Sequence, residues 1–139
     1  MDEFERFYKA QATWYEIALA EIKAGRKRSH WIWFIFPQLQ ALGRSQNAFY
    51  YGIKDLDDAK DYLDDIVLRA RLIEISQALL ELETNDPVKV MGQIDSMKLR
   101  SCMTLFHLAD PTCDVFKKVL DKYFTGQLDE KTVELCAAK

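Results

Sequence analysis

From Phe4 onward, apolar residues return every three or four positions. Phe4, Phe7, Tyr8, Trp14, Tyr15, Ala18, Leu19 and Ile22 share one face at helical spacing. That pattern predicts a long amphipathic helix over residues 2–24, closed by Gly25. A block of different character follows, SHWIWFIFPQ from Ser29 to Gln38. It holds six consecutive large apolar residues between Ser29-His30 and Pro37-Gln38. Such a run must be buried. No other segment offers a partner strand, and a lone strand would leave its backbone groups unpaired. The block therefore predicts a helical turn opened by Ser29 and stopped near Pro37.

Beyond it, Gly43-Arg44-Ser45 reads as a connection into a short helix carrying Phe49 and Tyr50. A helix over about residues 57–63 comes next. A longer one over 65–83 places Leu68, Leu72, Ile75, Leu79 and Leu82 at steps of four and three. Asp86-Pro87 and Asp110-Pro111 each suit an N-cap followed by proline in the first helical position. The second pair predicts the start of a helix bearing Val115, Phe116, Val119, Leu120, Tyr123 and Phe124, closed by Gly126. Residues 96–108 and 129–137 read as two more. With no repeat, low-complexity stretch or linker, residues 1–139 are expected to form one all-α domain. The expectation is a compact bundle of about six to seven helices with short connections.

Winding each helix shows which polar residues fall among apolar ones. Gln11 lies between Phe4, Tyr15, Ala18 and Ile22. On the 96–108 helix, Lys98 lies between Cys102 and Leu105, and Ser101 between Leu105 and Leu108. Only Arg100, Thr104 and His107 share an outer stripe. Burying polar groups unpaired costs several kcal/mol each, so partners are required. Asp95 is the nearest for Lys98. That lysine reads as a structural ion pair or snorkelling side chain, as a ligand contact, or as a catalytic amine. Gln11 reads first as a brace for the irregular backbone near Pro37. His30 reads equally as a helix-end residue or an acid–base group.

Composition narrows the classes. Hydrophobic residues make up 49% of the 139, which excludes a disordered chain. No stretch approaches the roughly 20 apolar residues of a membrane span. The acidic start, Met1-Asp2-Glu3-Phe4-Glu5, argues against a targeting peptide and for a cytoplasmic protein. The three cysteines, Cys102, Cys113 and Cys136, form no CxxC pair, so neither a disulfide framework nor a zinc site is expected. The net charge of −3 disfavours a nucleic-acid partner. Lys23, Arg26, Lys27 and Arg28 nevertheless cluster before the aromatic block, either to satisfy a helix dipole or to attract an anion. No HExxH, P-loop or GxGxxG motif is present, and five scattered glycines build no phosphate cradle, so no metal or cofactor is expected. The aspartates from Asp55 to Asp65 read as a solvated face.

Several blocks together resemble a known family. They are Phe7, Ala10 and Gln11; Tyr15, Ala18 and Leu19; Gly25 and Lys27; the SHWIWFIFPQ block; Leu42-Gly43 and Ser45; Tyr51-Gly52-Ile53; Tyr62-Leu63; and DSMKLRSCMTLF from Asp95 to Phe106. Over about residues 4–124 the chain is similar to the domain of unknown function 1810 family. Arg69 replaces a usual glycine, and Cys102 a usual second serine. The resemblance implies a mainly helical, bacterial-type cytosolic domain and supplies no established activity. Members have carried the label calpastatin. Calpain-inhibitor segments are largely disordered until bound, whereas this chain is aromatic-rich and strongly periodic, so the label does not suit it.

The expected site lies between the first helix, the Ser29–Gln38 segment and the central helix. Gln11, His30, Gln38, Ser45, Asp95, Lys98 and Ser101 would make polar contacts. Trp31, Trp33 and Tyr51 would form walls. Lys27 and Arg44 would favour a small anionic ligand, nucleotide-like or a sugar phosphate. Any chemistry would be metal-free hydrolysis or group transfer, with His30 as acid or base and Lys98 stabilising negative charge. The rival expectation is a protein-interaction module without catalysis, anchored by exposed Trp31 or Trp33. A single-stranded nucleic-acid binder ranks third, because most aromatics are committed to the core.

Overall fold

The computed structural model describes residues 4–138. Within them the chain forms nine α-helices and one 3-10 turn. The periodic segments fold as their spacing requires. Helix α1 (Glu5–Lys23) buries Phe7, Gln11, Tyr15, Ala18, Leu19 and Ile22 along one face. Gly25, at φ +88°, ends it by donating to the Ile22 carbonyl while Arg26 donates to that of Glu21. This Schellman closure needs a residue without a Cβ penalty in the left-handed region.

The aromatic block folds as α2 (Ile32–Ile35), a single turn. Ser29 does not open it. Trp31 occupies the N-cap position without a side-chain capping bond, while Ser29 donates its hydroxyl to Glu21 at 2.6 Å. Leu39 then forms a parallel bridge with Ile53, with Ile53 N–H donating to the Gln38 carbonyl and Gln40 N–H to that of Ile53. The two bridged residues are too short a pairing to show as a strand pattern. The 3-10 turn Gln40–Leu42 leads to α3 (Gln46–Tyr51), capped by Ser45.

Aspartates start the next helices. Asp55 caps α4 (Leu56–Asp64) and Asp65 caps α5 (Ile66–Leu80). Asp86 caps α6 (Pro87–Met91), with Pro87 in its first turn. These residues therefore hold backbone N–H groups, and Asp58 is buried accepting from Lys54 N–H, so the acidic stretch is only partly a solvated face. The second Asp-Pro pair behaves differently. Asp110 ends α7 (Gln93–Ala109) and folds back on Thr112, and α8 (Val115–Phe124) begins only after Asp114. Asp129 caps the last helix, α9 (Glu130–Ala137). Nine helices rather than six to seven result because the chain breaks into one- and two-turn pieces that long-period reading merges.

Helix α7 lies at the centre, against α4, α6, α8 and α9, while α1 and α8 pack on α5. Phe106, Leu99, Cys102, Met103 and Leu105 are fully enclosed. The supposed outer stripe is covered at its middle, while Arg100 and His107 stay half-buried. Thr104 is 0% exposed and accepts from Asp129 N–H at 2.9 Å, and Arg100 lies 3.7 Å from the Asp129 carboxylate. No helix of the described residues is long and apolar enough to cross a membrane.

Candidate functional site

The loop from Arg26 to Trp31 is gathered around one carboxylate. Glu21 accepts from the backbone N–H of Arg28 and Ser29, from the Ser29 hydroxyl and from Trp31 Nε1. Partial burial would raise its pKa, but these bonds outweigh it and bring the group from 4.5 down to about 2. This clamp fixes where α2 begins. On the far side Gln11 donates Nε2 to the Phe34 carbonyl at 2.8 Å and to the Tyr62 hydroxyl, while its oxygen accepts from Arg71. Gln11 is thus the brace of the aromatic turn.

Held this way, α2 forms one wall of a cleft with the Leu39–Ile53 bridge, α3 and α7. Ile32, Trp33, Phe36, Gln38, Ala48, Tyr51, Gly52 and Lys98 line it. The cavity is small, about 10 Å³, room for roughly one water-sized group. The indole Nε1 of Trp33 is buried and has no hydrogen-bond partner. Among the described residues, Lys98 is the one charged residue in the lining. Its ammonium stands 5.6 Å from the Trp33 ring centroid and 3.6 Å from Asp95 Oδ1. Burial and the neighbouring Tyr50 push the Tyr51 phenol upward in pKa, with Arg6 opposing, so at neutral pH its hydroxyl keeps its proton.

Behind the cleft, Asp95 is held more tightly by another lysine. Lys27 Nζ lies 2.8 Å from Asp95 Oδ2, bonds the Ser29 carbonyl at 2.5 Å and sits 4.9 Å above the Trp31 ring. The Lys27 side chain is only 7% exposed, against 27% for Lys98. The unit of two ammonium groups and one carboxylate carries one net positive charge, and its accessible end is Lys98.

The sequence matches the family described as a protein of unknown function (DUF1810) over residues 1–136. The chain belongs to that family. It is also similar to a solved structure, the conserved hypothetical protein Rv1873 from Mycobacterium tuberculosis. The two are 40% identical, with a TM-score of 0.96 over 99% of this chain and 98% of the other. No curated protein matches. The family placement and the all-helical fold agree with the resemblance carried by the aromatic block and the Asp95–Phe106 block.

Trp33, Gln38, Tyr51 and Lys98 meet in the cleft, with Asp95 and Lys27 behind it. The other expected residues lie elsewhere. His30 is exposed and is not among the residues that line the cleft with Lys98. Trp31 is fully buried and bonded to Glu21, which removes it as an exposed anchor, and Trp33 is half-buried. Ser101 is buried and returns its hydroxyl to the Met97 carbonyl. Arg44 and Ser45 border a separate shallow depression with Phe49 and Tyr50, and Ser45 is occupied in capping α3. Among the described residues no group of three or more His, Cys, Asp or Glu side chains could hold a metal ion.

Glu21 was not singled out by winding the helices. Its signal was nonetheless present, because a carboxylate in the last turn of a helix opposes the dipole and requires a local reason. Ala48 gave no signal, and Gly52 stood out only within the Tyr51-Gly52-Ile53 block, since the role of both is to be small.

Proposed function

We propose that this protein binds a small anionic ligand whose charged end is held at the cleft of Trp33, Gln38, Tyr51 and Lys98. One observation carries the reading: the cavity is lined by Trp33, whose buried indole N–H has no partner, and by Lys98, whose nearest carboxylate oxygen stands 3.6 Å away. Both groups donate and neither accepts, so an anionic oxygen complements them. With room for about one water-sized group, the body of the ligand lies outside the cleft. A cytoplasmic setting fits the three free thiols.

The test is thermal denaturation with inorganic phosphate, AMP, glucose 6-phosphate and benzoate, on the wild type and on Lys98→Met. A bound anion raises the melting temperature of the wild type by about 4 °C at ten times Kd, and Lys98→Met loses the rise. No rise with any of them contradicts the reading.

A second reading, a protein-interaction module without catalysis, draws support from exposed apolar residues beside the cleft-lining ones. Ile94 and Met97 are 72% and 63% exposed next to Lys98, and Phe49 and Tyr50 are 68% and 58% exposed next to Tyr51. They replace the tryptophans as the anchors such a module would use.

A further inference from the structure

Resting on the anion-binding reading, we infer that the cleft selects a carboxylate, presented end-on, over a phosphate group. Three observations converge on this choice. The first is size. A cavity of about 10 Å³ admits one oxygen, not the tetrahedral head of a phosphate.

The second is charge. Lys27, Asp95 and Lys98 together carry one net positive charge, with Lys27 committed to Asp95 at 2.8 Å. A carboxylate brings one negative charge. A phosphate monoester brings about −1.5 to −2 at neutral pH, which one partly shared ammonium leaves uncompensated in a half-enclosed site. No arginine lines the cleft to supply the fork that phosphate recognition exploits.

The third is donor chemistry. Trp33 Nε1 is a donor only, it is buried, and it lacks an acceptor. An indole N–H makes one bond, so a single oxygen would satisfy it once a small shift of the Trp33 ring uncovers Nε1 to the cavity. Lys98 supplies the charge. The Gln38 amide and the Tyr51 hydroxyl remain for the second oxygen, and Ile32, Phe36 and Ala48 give the rest of the wall no further polar anchor.

The same chemistry occurs in a free carboxylic acid and at the end of a peptide chain. The experiment follows the indole N–H signals of ¹⁵N-labelled protein by NMR at constant ionic strength, with Trp33→Phe assigning the Trp33 signal. Benzoate, an N-acetylated tripeptide with a free C-terminus, the same peptide amidated, and inorganic phosphate are titrated separately. The Trp33 signal is expected to move downfield saturably with benzoate or with the free-ended peptide, and to stay in place with the amide. The tighter of the two carboxylates identifies the source. Phosphate is expected to bind at least about tenfold more weakly, and Lys98→Met to weaken the carboxylate by a similar factor.

Phosphate binding as tightly as the carboxylates would overturn the inference and leave the anion site standing. Silence of the Trp33 signal with every anion would overturn both. A benzoate shift unchanged in Lys98→Met would mean ring stacking rather than charge recognition, and would also overturn the inference.

Discussion

Lys27 and Lys98 share Asp95 but differ in what they stand to lose. Lys27 is nearly enclosed, so removing its counter-ion leaves an ammonium desolvated with only the Ser29 carbonyl and the Trp31 face. Asp95→Asn should destabilise the protein by about 2–3 kcal/mol in chemical denaturation. Lys98→Met, at the exposed end, should change stability by less than about 1 kcal/mol. Glu21 adds a pH dependence. Its folded pKa lies below the ordinary 4.5, so its contribution is complete above that value and is lost as pH falls towards about 2. The stability gap between wild type and Glu21→Gln should therefore be full at pH 6 and shrink through pH 4 and 3. Winding the helices by sequence identified Gln11 and Ser101 as buried, because helical geometry fixes direction, whereas Lys98, read as buried with them, reaches the surface with 27% of its side chain exposed. Winding did not tell a satisfied brace from a site residue, because that depends on which distant groups arrive, such as Phe34 and Arg71 for Gln11.

At the scale of elements, the cleft depends on how closely α3 approaches the 3-10 turn. A Cβ on Gly52 would stand 2.5 Å from the Gln40 Cα and 2.7 Å from the Ala48 carbonyl oxygen, both backbone atoms. Gly52→Ala must therefore push the Leu39–Ile53 bridge and α3 apart. The expected result is a loss of about 2 kcal/mol or more, with a lower melting temperature. The cap at Asp86 was legible because a capping carboxylate acts within three residues of itself, whereas Asp55 and Asp65, which also cap, read as part of a solvated face. Asp65→Ala should cost about 1 kcal/mol. Asp110 has the same local signature as Asp86 and a different fate. It pairs with Arg69 on α5 and bonds Thr112, and that tertiary arrangement delays the next helix to Val115.

For the molecule as a whole, α7 is the axis, and the last helix makes it so. Asp129 N–H on the Thr104 hydroxyl docks the start of α9 over a stripe that looks solvent-facing from α7 alone. Thr104→Val keeps the shape and deletes the acceptor. It should cost about 1–2 kcal/mol, and the amides of residues 130–137 should exchange faster while those of α1 keep their protection. Fold class and the central place of α7 could be read from periodicity because one helix was apolar around most of its circumference. The cleft could not, because its volume comes from three separated segments meeting. The claim that unifies these observations is that this junction captures an anion through Trp33 and Lys98. The most direct measurement is calorimetric titration of benzoate and of inorganic phosphate into wild type, Trp33→Phe and Lys98→Met. Saturable binding by the wild type to at least one of the two, weakened in both folded variants, is the predicted result. Equal affinity in all three proteins, or no heat from either anion, would contradict it.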